Sequence, residues 1–403
     1  MKITIVSRGD ASSGGAGRIA EMLATGLQSQ GNDVCHLIKK RPRPDYADKC
    51  KQIPSIKGDV LLRNAIGLDM SGLLLLTHPD IRNADIVHFH DFSVAFGSVA
   101  ALIIAKYKHV IFTLHDFSCL TGGCMYPRNC DKYLSECGNC PQIGSSPLTL
   151  PLDFTKHYFK LHKKIAENKN VVAISPSKYL QCEAMKGAWK NGKVEVIKNA
   201  VEINLFNSDF RDKGRRRLEL DEKHKALLFV SIKIMNPNKG FVDLEQAFLT
   251  LADKHPEIIL VLAGESDQLS KKLQPYKNRI RQLGTIKDSK EMAEIFAACD
   301  CCVSPTRGDN FPCTILESLS TGTPVIAYRV GGIPEMYQSP EQGYMVAPND
   351  REGLTNAIRQ FLKMKTKEFQ RQEIRGKVIE RFSTGQFIRK HLELYSEFTI
   401  DST

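Results

Sequence analysis

The sequence predicts an α/β protein of two successive doubly wound domains, each a parallel sheet covered by helices. Three observations carry that prediction. A strand, a glycine loop, a helix and a second strand follow one another over residues 2–38, which is the unit of a parallel sheet. The same plan restarts near residue 226, after a polar stretch in which the periodic pattern stops. A length of 403 residues accommodates two domains of ordinary size.

In the first half, β-rich runs predict strands over 2–7, 33–38, 86–90, 110–115, 171–175 and 194–198, and the spacing of apolar residues predicts a helix over 15–30. Residues 199–208 read as the linker, so the domains are expected over 1–200 and 207–384. In the second half strands are expected over 226–231, 258–263, 280–283, 301–304 and 324–328, with helices over 241–254 and 289–298. A further helix should begin at Pro312, where a missing N–H costs nothing, and stop before Gly322, suited to the left-handed residue after a helix end. Gly331-Gly332 then turns the chain into a helix opened by Pro334-Glu335, and the tail 383–398 reads as one helix. Two such halves imply a cleft between them.

Hydrophobic residues at 42% and charged ones at 25% are the proportions of a soluble globular protein. Residues 1–7 run straight into a β-like stretch rather than a signal peptide. The longest apolar run, 94–105, is too short for a bilayer span of roughly 20 residues, so a cytoplasmic protein is expected. The formal charge of +11 is concentrated at 39–43, 156–164 and 211–217. Such clusters serve nucleic acid, anionic lipid or phosphorylated substrates, but aromatic residues do not interleave with them, which argues against nucleic acid. Over 153–168, Phe154, Tyr158, Leu161 and Ile165 recur at helical spacing among Lys156, Lys160, Lys163 and Lys164. That helix either lies on an anionic membrane or packs on its own domain.

The chemistry-bearing residues gather at strand ends. Asp309 and Glu317 flank the helix begun at Pro312, and a helix N-terminus at the carboxyl end of a parallel strand suits a diphosphate. Glu317 is placed as a partner for ribose hydroxyls. Lys239, just before Gly240, can stabilise the charge that grows on a departing diphosphate. The loop Ser12-Ser13-Gly14-Gly15-Ala16-Gly17 lets a ligand approach the backbone closely, but it lacks dinucleotide spacing and no acid ends the second strand. A nicotinamide oxidoreductase is thereby disfavoured. His115-Asp116 ends a strand, where a neutral imidazole can hydrogen-bond a sugar hydroxyl; His90 either lines the same site or is a strand-end residue, and His88 reads as the latter.

Twelve cysteines are present, and Cys124, Cys130, Cys137 and Cys140 form C-x5-C-x6-C-x2-C. That spacing can wrap one structural Zn²⁺ with four thiolates, or the cysteines are free thiols. Cys299, Cys301, Cys302 and Cys313 read as core residues, and Ser175 and Ser177 as caps.

With TGTPV and GGIPE following it, the segment from Asp309 to Glu317 resembles the acid-x7-acid donor signature of glycosyltransferase family 4, the retaining enzymes of GT-B architecture. Asp309 departs from the commoner Glu. The resemblance implies two Rossmann-like domains facing each other across a cleft, with the last helix, 385–403, crossing back onto the first. It implies a nucleoside-diphosphate sugar held by Glu317, Lys239, Asn310, Phe311, Pro312, Thr314 and Gly15, with Gly14, Gly15, His90 and His115 on the acceptor side. His115, Asp309 and Lys239 would carry catalysis. The family's arginine beside the lysine is missing; Ile232 stands near its place and Lys233 is the nearest substitute. No metal is implied for transfer. The implied activity is retaining sugar transfer to a glycan or lipid-linked oligosaccharide in polysaccharide, exopolysaccharide or lipopolysaccharide assembly, by a protein peripheral to the inner face of the plasma membrane. A nucleotide-sugar epimerase of similar architecture would bind the same donor without an acceptor, and a non-catalytic zinc-bearing interaction protein would need none of these residues.

Overall fold

The computed structural model describes residues 1–54, 69–90, 96–266, 270–364 and 370–400. They form two compact units, one comprising Met1–Asn199 with Gly385–Thr403 and the other Ala200–Thr384.

The first unit contains β1 (Lys2–Ser7), β2 (Asp33–Ile38), β3 (Lys51–Gln52), β4 (Ile86–His90), β5 (His109–Thr113), β6 (Val171–Ser175) and β7 (Lys193–Val196). They lie in the order β3-β2-β1-β4-β5-β6-β7 and every pairing is parallel. The second unit repeats the plan with β8 (Lys225–Lys233), β9 (Ile258–Glu265), β10 (Ile280–Gly284), β11 (Cys301–Ser304), β12 (Val325–Tyr328) and β13 (Gly343–Val346). Their order is β10-β9-β8-β11-β12-β13, again all parallel. Parallel strands need crossover helices, which bury both sheet faces. Accordingly Leu228, Val261 and Cys302 enter one core of the second sheet while their neighbours Leu227, Leu260 and Cys301 enter the other.

The last helix, Thr384–Ile400, packs on the first unit. Tyr395 Oη reaches His88 Nδ1 at 2.6 Å, Phe398 sits edge-on to His109, and a Cβ on Gly26 would stand 2.4 Å from Ile388. No helix among the described residues is long and apolar enough to cross a membrane. Val94 and Ala95, which open the apolar run, lie outside the described residues, as do residues 401–403.

Several expectations are corrected. Pro312 is the N-cap rather than the first helical residue, with an extended ψ of 124° before the helix Cys313–Ser320. The helix expected at Pro334-Glu335 is one 3-10 turn, Ile333–Glu335. The basic clusters are largely neutralised by their own domains. Lys39 pairs with buried Asp69 at 2.9 Å and Arg43 with Glu21 at 2.6 Å. Arg211 and Arg215 both bind Asp300, Lys213 binds Glu294, and Arg217 binds Glu291. In the helix Thr155–Ala166, Tyr158, Phe159, Leu161 and Ile165 are buried in the domain, so its apolar face is already covered.

Nine of the eleven histidines lie in the first unit, and burial strips several of their charge. His36, His162 and His391 are each pulled down to about 4 by burial. The unfolded chain therefore binds protons that the fold excludes, and stability falls as pH drops from 6.5, the unfolded value, toward 4. Each such histidine costs about 1.4 kcal/mol per pH unit within that window. Trp189, the sole tryptophan, is buried in the same unit and reports on it. The thermal midpoint followed by Trp189 fluorescence is expected to fall steadily between pH 6.5 and 5, where carboxylates contribute little; a flat profile there would refute the histidine account.

Candidate functional site

In the second unit the strand order reverses between β8 and β11, so the loops leaving their carboxyl ends diverge and open a crevice there. Lys239 lies on the first of these loops and Asp309 on the second. After β8 the chain makes a 3-10 turn, Pro237–Lys239, capped by the Asn236 side chain. Gly240 follows at φ 74°, and a Cβ there would lie 1.9 Å from the Pro305 carbonyl. Only glycine permits that approach. The loops are then stitched together: Arg307 N–H donates to Asn238 O at 2.7 Å, its guanidinium to Pro237 O at 2.7 Å, and Thr306 Oγ1 to Asn238 O at 3.0 Å. Gly331, at φ 55°, closes from the other side, where a Cβ would stand 1.8 Å from Asp309 O.

Held this way, Lys239 Nζ meets Asp309 Oδ2 at 2.5 Å with both groups partly exposed. Behind them Asp243, fully buried, accepts from Arg307 at 2.7 Å, Arg351 Nε at 2.6 Å and Tyr328 Oη at 3.1 Å. No sequence motif marks this anchor. Arg307 and Arg351 lie 64 and 108 residues from Asp243, a separation to which no local spacing rule applies.

Glu317 is 5% exposed on the helix Cys313–Ser320, so it is not a solvated helix residue. Its charge adds to burial in pushing the Cys302 thiol up to about 12. That helix has no side-chain cap, because Pro312 supplies none. Its N-terminus follows the loop that leaves the carboxyl end of β11. Pro312 and Thr314 are half-buried at this end. The Phe311 ring packs in the core, 5.8 Å from the Phe382 ring. Asn310, at 2% exposed, is buried much as Glu317 is. Lys233 ends β8 as an exposed residue beside Ile232, which is 69% exposed.

In the first unit the order reverses between β1 and β4. The loop after β1 is ordered by Asp10, which accepts from Ser12 N, Ser12 Oγ and Arg43 N, and by Glu21, which accepts from Ala11 N and Arg43. Gly14 at φ 119° precedes the helix Gly15–Ser29, whose N-terminus has no side-chain cap. His90 ends β4 and is fully buried; its Nδ1 lies 2.9 Å from His115 Nε2, just beyond β5. His90 is thus a support for His115 rather than a surface contact. His88 bridges Tyr395 and Thr113 inside the core. Burial pulls His115 down to about 3, which keeps its imidazole neutral.

Residues 13–205 match the family described as Glycosyltransferase Family 4, and residues 211–378 that described as Glycosyl transferases group 1. Among curated relatives, N-acetyl-alpha-D-glucosaminyl L-malate synthase of Bacillus anthracis is 25% identical over 59% of this chain and 62% of its own length. UDP-Gal:alpha-D-GlcNAc-diphosphoundecaprenol alpha-1,3-galactosyltransferase of Escherichia coli is 22% identical over 52% and 55%. In these matches the chain spans about half the length of the relatives. Glycogen synthase of Mycobacterium tuberculosis is 31% identical over 87% of this chain and 82% of its own. Among solved structures, sucrose-phosphate synthase of Thermosynechococcus elongatus superposes with a TM-score of 0.76 at 18% identity, covering 100% of both chains. HepE of Anabaena, in complex with UDP and glucose, superposes with a TM-score of 0.73 at 17% identity over 98% of this chain and 99% of HepE. These likenesses and the two doubly wound sheets establish a GT-B fold, and the chain belongs to glycosyltransferase family 4.

Proposed function

We propose that the protein is a retaining hexosyltransferase that moves a sugar from a nucleoside diphosphate to a glycan or lipid-linked acceptor. The observation that carries this reading is the Lys239–Asp309 pair, set at the strand-order reversal, with buried Glu317 on the helix that follows Asp309. Each part has a task. The N-terminus of Cys313–Ser320 and Lys239 take the diphosphate, where a fixed cation and aligned N–H dipoles stabilise charge as the phosphate departs. Glu317 accepts from the ribose hydroxyls, and Asp309 from hydroxyls of the transferred sugar. Lys239 must exchange Asp309 for phosphate as the donor enters, which frees the Asp309 carboxylate for the sugar. Neutral His115, held by His90, hydrogen-bonds a hydroxyl without competing for the phosphate's charge. In a transfer on one face the leaving phosphate oxygen accepts the acceptor's proton, so no separate base is needed. Lys233 is assigned a lesser share of the diphosphate, and Gly14 and Gly15 the close approach of sugar and acceptor.

The lipid-linked acceptor is supported by the diphosphoundecaprenol named for the Escherichia coli relative, and the same reading assigns the protein to cell-surface polysaccharide assembly. At a cytoplasmic membrane face, contact would be electrostatic, through exposed Lys156, Lys160 and Lys163, whose solvent-exposed pairs with Glu136 and Glu167 are weak enough to exchange for lipid headgroups, since the apolar side of that helix is buried.

Four outcomes test these assignments. Lys239→Ala should lower turnover by roughly 10²–10³-fold and weaken nucleoside-diphosphate binding, whereas Asp309→Asn should lose turnover but keep that binding. Glu317→Gln should weaken the donor by about 1–3 kcal/mol, read by calorimetry across UDP-, GDP- and ADP-sugars; unchanged affinity in Glu317→Gln would remove it from the ribose site. NMR of the product should show the donor's anomeric configuration kept, and isomerised sugar from donor alone would identify an epimerase instead. Sedimentation with vesicles containing anionic lipid should diminish on raising salt from 50 to about 500 mM, given a screening length that shrinks toward 3 Å near 1 M. Salt-independent binding would contradict an electrostatic contact.

A further inference from the structure

Between His115 and the helix Thr155–Ala166 runs a stretch with almost no regular structure. Its only described elements are 3-10 turns at Phe117–Cys119 and Lys132–Leu134 and one isolated bridge, Ser145 to Leu148. A long irregular segment in a compact domain needs something to hold it. Its start is tied to the core at two points: Trp189 Nε1 donates to Cys119 O at 3.1 Å and His162 Nδ1 to Thr121 O at 2.8 Å. The middle instead turns its cysteines inward.

All twelve cysteines are without disulfides, yet Cys124, Cys130, Cys137 and Cys140 line one small cavity of about 20 Å³ with Thr121, Lys132 and Tyr133. The backbone spends conformational energy to bring them there. Arg128 at φ 55° and Asn139 at φ 46° are two of the four non-glycine residues with left-handed backbones among the described residues, and each lies between two of these cysteines. Such a residue costs about 1–2 kcal/mol. A backbone amide is aimed at sulfur as well: Gly122 N–H meets Cys137 Sγ at 3.2 Å. Lys132 Nζ is held beside the Cys137–Cys140 turn by the carbonyls of Gly138 and Asn139, at 3.1 and 2.8 Å.

We infer that Cys124, Cys130, Cys137 and Cys140 form a four-thiolate site for one structural zinc ion that staples the segment after His115. Four thiolates around Zn²⁺ leave a net charge of −2, which the Gly122 N–H and the Lys132 ammonium offset. Binding expels the four thiol protons to solvent, and the ion takes their place as the positive charge between the sulfurs. As the side chains stand, no three metal-ligating groups among the described residues meet at ligand distance, so closure onto Zn–S bonds of about 2.3 Å requires the cysteine side chains to rotate into the cavity. All four positions are occupied by protein sulfur, leaving no open position for catalysis, so the inference is separate from the sugar-transfer reading and can fail without it.

The full chain, purified under reducing conditions, should carry one zinc by elemental analysis. Cys137→Ser combined with Cys140→Ser should abolish it, and Cys182→Ser, an exposed thiol elsewhere, should not. Because the double variant can fail to fold, wild-type protein stripped by chelator should also bind one Co²⁺ with thiolate-to-cobalt charge-transfer absorption. Absence of both zinc and cobalt absorption in the wild type, undiminished zinc in the double variant, or a disulfide among these four cysteines in reduced protein would each overturn the site.

Discussion

The close passage of backbone past backbone at Gly240 and Gly331 is the constraint on which the second domain's chemistry depends. β8 and β11 are hydrogen-bonded neighbours, with Cys301 opposite Leu227 and Cys302 opposite Leu228, yet their outgoing loops lead to opposite sides of the sheet. The loop 305–311 stays at the reversal only because two glycines leave room for it, one against Pro305 O and one against Asp309 O. Once it is there, Arg307 bonds the preceding turn and buried Asp243 takes up Arg307, Arg351 and Tyr328. A buried carboxylate with three donors is satisfied, whereas loss of one donor leaves a costly charge in low dielectric. The Lys239–Asp309 pair is the exposed end of this arrangement.

The first domain solves a different problem. His88, His90 and His391 are stacked in its interior near Tyr395, so the C-terminal helix is joined to the core through polar rings as well as apolar ones. Burial keeps these rings neutral, and a neutral His115 at the sheet's carboxyl edge follows from the same low dielectric. The function assigned to His115 and the acid sensitivity of its domain therefore share one cause.

Net charge is a poor guide to partner here. Of the three basic clusters, that at 211–217 is held by Asp300, Glu291 and Glu294, and that at 39–43 has Lys39 and Arg43 paired within the first domain. Side chains already engaged in partly buried pairs offer little to a phosphate or a lipid headgroup.

The sequence by itself determined the two parallel sheets, because strand-helix alternation and apolar periodicity are local signals, and it determined the donor signature, since Asp309, Glu317 and the glycine turns lie within one continuous stretch. It also placed Lys239 before its glycine and His115 at its strand end. The tertiary structure alone decided which neighbours count. Phe311 looks like a site residue in sequence and is a core ring in space; Arg43 looks like surface charge and orders the glycine loop through Glu21. Asp243, 64 residues from Arg307 and 108 from Arg351, became an anchor only when the crossovers brought those side chains together. Burial and long-range pairing depend on how the whole chain excludes water, a property no short window of residues contains.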